Sequence, residues 1–306
     1  MKLTVTIAGV ELKNPIMTAS GTFGSGRDFE PYTDLNKIGC VVVKGVASRE
    51  WAGNPPPRIV ETYGGMINAI GLQNPGIDVF CTEDIPFLRQ FDTKIGVNIS
   101  GKTIDEYVEV AERLASEDVD LLELNISCPN VKEGGVAFGV DPFMAALVTG
   151  AVKKVARQPL IVKLSPNVTD ITVIAKAVED GGADAVSLIN TLIGSRIDIH
   201  EQKFILSTKQ GGLSGPAIKP VAVRMVYDVA NSVNLPVIGM GGIMSGEDAV
   251  EFMMAGANAI AVGTANLLDP AATMKILAEL KTFMRNKHIE DVNDIVGAVD
   301  REVISS

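Results

Sequence analysis

A closed parallel (β/α)8 (TIM) barrel, with an amino-terminal hairpin and long loops on its catalytic face, is the fold this sequence predicts. Three observations carry it. Eight short apolar runs recur along 306 residues, most of them separated by stretches whose apolar residues fall at three- and four-residue spacing. The runs are nearly continuous in their apolarity, as strands covered on both faces of a parallel sheet are. The clearest glycine turns, "GMGG" and "VGT", follow the seventh and eighth runs. A doubly wound open sheet usually carries its phosphate loop after the first strand. "ASGTFGSG" stands there, but the later turns are the sharper signal.

The elements follow in order. "LTVTIAGVELKN" alternates apolar and polar residues and predicts a small hairpin within the first fourteen residues, closing the end of the barrel away from the catalytic face. The strands are placed at "PIMTAS", "GCVVVKG", "KIGVNIS", "VDLLELN", "PLIVKLS", "ADAVSLIN", "LPVIGMGG" and "NAIAVGT". Amphipathic segments such as 103–117 and 170–182 read as helices, with acidic residues near their starts. Three connections, 45–93, 126–140 and 191–215, are too long for simple turns. All three follow strands, which puts them at the catalytic face, where long loops are usually functional. No linker composition or further repeat interrupts the pattern, so one barrel domain is expected over 1–306.

Charge and cysteine usage narrow the function. Lys and Arg number 27 against 37 Asp and Glu, a net charge of −10, which disfavours nucleic acid and anionic membranes as partners. No apolar run reaches the roughly 18 residues of a membrane-spanning helix, and the amino terminus lacks the apolar core of a signal peptide. The three cysteines, Cys40, Cys81 and Cys128, are sparse and odd in number, which fits a reducing cytoplasm rather than a disulfide framework. With no C-x-x-C pair and only His200 and His288 as histidines, zinc or an iron–sulfur cluster held by this chain alone is not expected.

The polar residues that end the strands carry the chemistry: Ser20, Lys44, Asn98, Asn125, Lys163 and Asn190. A buried strand gains nothing from a terminal amide or ammonium unless a ligand pairs with it. Gly241 with Gly242, and Gly263 with Thr264, offer open backbone where barrels of this kind commonly bind phosphate, and Ser245 is placed to cap the helix that follows. Phosphate plus amides and lysines suits FMN. Lys163 then has a use beside flavin N1 and O2, where an ammonium stabilises the anionic reduced ring. A Schiff-base lysine, as in an aldolase, is the alternative use. Cys40 and Cys81 read as small core hydrophobes. Cys128 stands in a long loop before Pro129, among Asn125, Ser127 and Asn130. It has no well-placed histidine for a Cys–His pair, which favours a base acting on a proton next to a carbonyl, with Lys44 able to support the thiolate.

These residues belong to linked motifs, "PIMTASGTFG", "VVVKG", "GNPPPRI", "NAIGLQNPG", "GVNISG", "LELNISCPN", "VKLSPNV", "LINTLIG", "GGLSGPAIKP", "IGMGGI" and "VGTAN". Through them nearly the whole chain resembles class 1B dihydroorotate dehydrogenase, the FMN-bearing catalytic subunit of pyrimidine biosynthesis. The resemblance implies that Cys128 removes the proton from carbon 5 of dihydroorotate while hydride leaves carbon 6. It assigns Asn68, Ala69, Ile70, Gly71, Leu72, Asn125, Asn190 and Thr191 to the substrate, with Lys44 between substrate and flavin. FMN falls to Ser20, Lys44, Gly45, Asn98, Asn125, Lys163, Ile189, Gly215 and the two glycine turns. It also implies a partner subunit carrying FAD and a 2Fe–2S cluster that passes electrons to NAD+, around a homodimeric core of a heterotetramer. A fumarate-using class 1A enzyme, a dihydropyrimidine-reducing enzyme, a Lys163 aldolase and a non-enzymatic phosphate-binding barrel are the rival readings.

Overall fold

All eight predicted runs are strands of one closed barrel. They are β1 (Ile16–Thr18), β2 (Cys40–Val46), β3 (Lys94–Ile99), β4 (Leu121–Asn125), β5 (Leu160–Lys163), β6 (Ala185–Leu188), β7 (Val237–Met240) and β8 (Ala259–Val262). The computed structural model describes residues 1–127 and 138–299. Each strand lies parallel to its neighbours in chain order, and β8 closes on β1 with Ile260 opposite Ile16. Runs such as "CVVVKGV" suit this position because β-branched side chains pack well on a pleated surface covered on both faces.

The register sets the site. Asn98 stands opposite Glu123, Asn125 opposite Lys163, and Lys163 opposite Ser187. Glu123 on β4 bonds to Ser187 on β6 across the intervening strand, so this row of polar side chains points into the barrel, near its carboxyl-terminal end.

Amphipathic helices cover the outside: α1 (Ile104–Leu114), α2 (Pro142–Val155), α3 (Ile171–Asp180), α4 (Lys219–Ala230), α5 (Gly246–Met254) and α6 (Ala272–Asn286). In α1 the buried Tyr107, Val110, Ala111 and Leu114 form one stripe against the core. Thr103, Asp141 and Asp170 cap α1, α2 and α3 by accepting from backbone N–H groups of the first turn. After β2 the covering segment is interrupted: helical Ile77–Val79 and Ile85–Leu88 flank a wide π turn, Phe80–Asp84. Pro86, lacking an N–H, sits just past that turn, where a regular ladder would lose a bond.

The amino-terminal hairpin, Val5–Ile7 against Val10–Leu12, lies immediately before β1 and buries Ile7 and Leu12 completely. The end of the described chain ties onto it. Lys2 N donates to Glu290 O at 2.6 Å and Val292 N to Lys2 O at 2.9 Å, while the Lys2 ammonium meets Asp291 at 2.8 Å.

Two of the long connections are more than loops. Ile59–Thr62 and Gly65–Asn68 come from 45–93, and Leu192–Gly194 and Gly211–Ser214 come from 191–215. Together they form a four-stranded antiparallel sheet in which Gly212 faces Asn68. Ile67, Ala69 and Leu206 make a small core of its own. The sheet springs from the ends of β2 and β6, so it roofs the mouth of the barrel.

Candidate active site

Between the inward row of the barrel and this roof lies one cavity, and every described residue that the sequence assigned to cofactor or substrate lines it. Ser20, Lys44, Gly45, Asn98, Asn125 and Lys163 approach from the barrel. Asn68 to Leu72 approach from the first long connection, and Ile189, Asn190 and Thr191 from the end of β6. Gly215, Gly241, Gly242, Gly263 and Thr264 complete the far side. Cys128, with Pro129 and Asn130, lies outside the described residues.

The floor is a continuous hydrogen-bond network. Glu123, 4% exposed, accepts from Asn98 Nδ2 at 2.6 Å and from Ser187 Oγ at 2.8 Å. The Lys163 ammonium lies 3.9 Å from the same carboxylate and donates to Ser20 Oγ at 3.3 Å. Asn98 Oδ1 accepts from Asn125 Nδ2 at 3.5 Å. Asn125 Oδ1 in turn accepts from Ser127 Oγ at 2.8 Å, and Ser127 Oγ accepts from Asn190 Nδ2. Tyr107, reaching in from α1, donates to the Asn125 carbonyl at 2.7 Å. Buried polar groups are costly unless paired, and here each is paired with another site residue.

The wall at 68–72 is held from behind. Asn54 N donates to Ile70 O and Asn54 Nδ2 to Ala69 O, both at 3.0 Å. Arg58 bonds to Asn54 O and reaches Gln73 Oε1 at 2.6 Å. Lys44 is half-buried; desolvation, and then the nearby Arg58 charge, hold its ammonium below the usual lysine range. At the opposite wall Asn167 Nδ2 donates to Thr191 O at 3.0 Å and Asn167 Oδ1 accepts from Ile193 N at 3.0 Å.

The glycine turns have the geometry a close ligand needs. Gly241 and Gly242 have φ of 124° and 82°, which only glycine adopts readily. Ser245 caps α5 as predicted, in a reciprocal pairing with Asp248. Thr264 Oγ1 donates to Ser214 Oγ at 2.8 Å, which ties the turn after β8 to the roof. Cys40 is fully buried in the core, as expected, whereas Cys81 sits at its margin, half-buried, with burial pushing its thiol up to about 11.

Sequence reasoning missed Glu123, Ser187, Asn167 and the reach of Tyr107. The available signal was the lone charge in "LLELN", a residue type almost never fully buried without partners.

Fold and site together define an eight-stranded barrel that sets paired glycine turns, lysines and an amide chain around one deep polar cavity. Comparison with known proteins then gives the lineage. The chain matches the model of the dihydroorotate dehydrogenase family over residues 2–284, and it belongs to that family. It is 64% identical to a protein of Alkaliphilus metalliredigens and 62% identical to one of Lachnoclostridium phytofermentans. Each of the two alignments covers 98% of this chain, and they cover 99% and 100% of those proteins. Both bear the name dihydroorotate dehydrogenase B (NAD(+)), catalytic subunit. Among solved structures, DHODH from Eimeria tenella in complex with ferulenol superposes with a TM-score of 0.83 over 98% of this chain and 89% of that one. At 24% identity that likeness speaks to the fold.

Proposed function

We propose that this chain is the catalytic subunit of an NAD+-linked dihydroorotate dehydrogenase, oxidising (S)-dihydroorotate to orotate in pyrimidine biosynthesis. The observation that carries the reading is the convergence of two lysines, Lys44 and Lys163, and the amide chain from Asn98 to Asn190 on one cavity with glycine turns at its far side. The named relatives support the same reaction.

FMN fits the donor set. Open backbone at Gly241, Gly242, Gly263 and Thr264 suits a phosphate, and Lys163 with Ser20 and Asn98 suits the polar edge of a ring that gains negative charge. When bound, FMN supplies the acceptor for the hydride lost from carbon 6. The chain's own residues do the rest. Asn68, Asn125, Asn190 and Thr191 hold the amide and carboxylate edges of the planar substrate, aided by the backbone of 69–72, and Lys44 stands near both ligands. The roof sheet limits the entry of water. Cys128, on the strength of its motif, takes the carbon 5 proton.

The electrons leave through a second subunit that holds FAD and a 2Fe–2S cluster, joined to a homodimer of this chain. The cysteines at 40, 81 and 128 offer no cluster spacing, which supports that division of labour. The test is an absorbance spectrum of the purified protein, followed by dihydroorotate without oxygen and mass spectrometry of the released cofactor. A flavin spectrum that bleaches, and a released mass equal to FMN, are expected. A colourless protein that takes up no FMN, or a stoichiometric FAD, overturns the assignment.

A further inference from the structure

Glu123 is a charged side chain inside a barrel strand, 4% exposed, and the reaction as described gives it no task. Two neighbours donate to it, the Asn98 amide at 2.6 Å and the Ser187 hydroxyl at 2.8 Å, and the Lys163 ammonium stands 3.9 Å away as an ion-pair partner. A carboxylate can only accept. Asn98 must therefore turn its NH2 toward Glu123 and its oxygen toward Asn125. Asn125 must then donate to Asn98 and accept from Ser127, and Ser127 accepts from Asn190. One buried charge thus sets the direction of every amide along the floor of the cavity. The same charge lies against Lys163 in a setting where charges interact more strongly than in water.

We propose that Glu123 is a positioning residue with two linked effects. It fixes the donor and acceptor order of the chain Asn98–Asn125–Ser127–Asn190, and it offsets the Lys163 ammonium, lowering the potential at which a flavin held beside that lysine takes up electrons. The inference rests on the proposed flavin reading, and it adds that the site is tuned to release electrons as well as to accept them. An uncompensated Lys163 would hold the reduced, anionic ring more tightly.

Two variants separate charge from geometry. Glu123→Gln removes the charge but can keep its oxygen toward Asn98 and donate to Ser187, so the amide order survives. Glu123→Asp keeps the charge but shortens the reach to Asn98. Both are measured as flavin-loaded protein, by equilibrium reduction against a reference dye and by titration with orotate. For Glu123→Gln the ratio of reduced to oxidised flavin at a fixed potential is expected to rise at least tenfold, about 30 mV for a two-electron couple. Its orotate affinity should stay within about threefold. For Glu123→Asp the potential should stay near that of the parent while orotate binding weakens about tenfold. A potential unchanged in Glu123→Gln, or moved equally in both variants, overturns the charge role. Should Glu123→Gln fail to retain flavin, unchanged orotate binding by Glu123→Asp still overturns the positioning role. The parent's own spectrum and its bleaching by dihydroorotate test the underlying flavin reading separately, before any variant is made.

Discussion

Lys163 and Cys128 ask different things of a substitution. Lys163 reaches a hydroxyl and a carboxylate inside the barrel, so Lys163→Ala should leave much of the flavin bound yet lower its potential, because the lost charge matters most once the ring is anionic. Equilibrium reduction reads this directly, and an unchanged potential at normal occupancy would refute the role. Cys128→Ala should bind orotate and reduce its flavin about 10²–10⁴-fold more slowly, the usual worth of a positioned base. Cys128→Ser should recover part of that rate at high pH, because a hydroxyl is harder to ionise than a thiol of pKa about 8.5. Anaerobic stopped-flow reduction across pH separates this from a packing role, in which both variants would reduce at near the parent rate. Lys44 adds a pH signature. Its ammonium is held below the usual lysine range, so raising the pH should discharge it and weaken binding of the orotate anion before an ordinary lysine would titrate. Orotate titrations of the parent and Lys44→Gln should differ in that alkaline limb, which the variant lacks.

Among the elements, the eight barrel strands and the capped helices were legible because their signal is local. "CVVVKG" and "LIVK" carry it within a few residues, and Ser245 with Asp248 announces a helix start by itself. The strand-end amides, lysines and glycine turns were legible for the same reason, and the structure gathers them at one cavity. The roof sheet was not legible. Its strands are three or four residues long, rich in glycine, and pair across separations such as the 144 residues between Asn68 and Gly212. Glu123 was hidden in another way, since its partners Asn98 and Ser187 lie on other strands and only the barrel's closure joins them. Gly215 is a direct test of the roof. Its φ is 107°, and a Cβ there would come within 2.7 Å of Gly65 Cα and 3.0 Å of Gly64 O. Gly215→Ala should lower stability by about 1–3 kcal/mol and weaken flavin retention, as denaturant midpoints and flavin release would show.

At the scale of the whole molecule, the chain's first and last described segments fasten to one another beneath the barrel. Asp291 accepts from Lys2 and from Asn293, which holds its carboxyl at about 2. A carboxyl lowered in the folded state stabilises it fully above the unfolded value near 3.8, and that contribution fades as pH falls toward about 2. Lys2 is mostly in water and Asp291 partly so, which screens the pair and keeps the effect small. Asp291→Asn should unfold at slightly lower urea than the parent at pH 7, with the gap closing between pH 3.8 and pH 2; a gap independent of pH would mean that the ion pair is not its source. The barrel's closure has a wider consequence. On one edge β1 pairs with β8, Ile16 opposite Ile260, and the turns at 241–242 and 263–264 follow the last two barrel strands. A polypeptide leaving the ribosome from its amino end therefore carries β1 with one edge unpaired until β8 has been made. That edge is open to strands of other nascent chains, and the glycine turns that line the cavity come together only once β7 and β8 have been made.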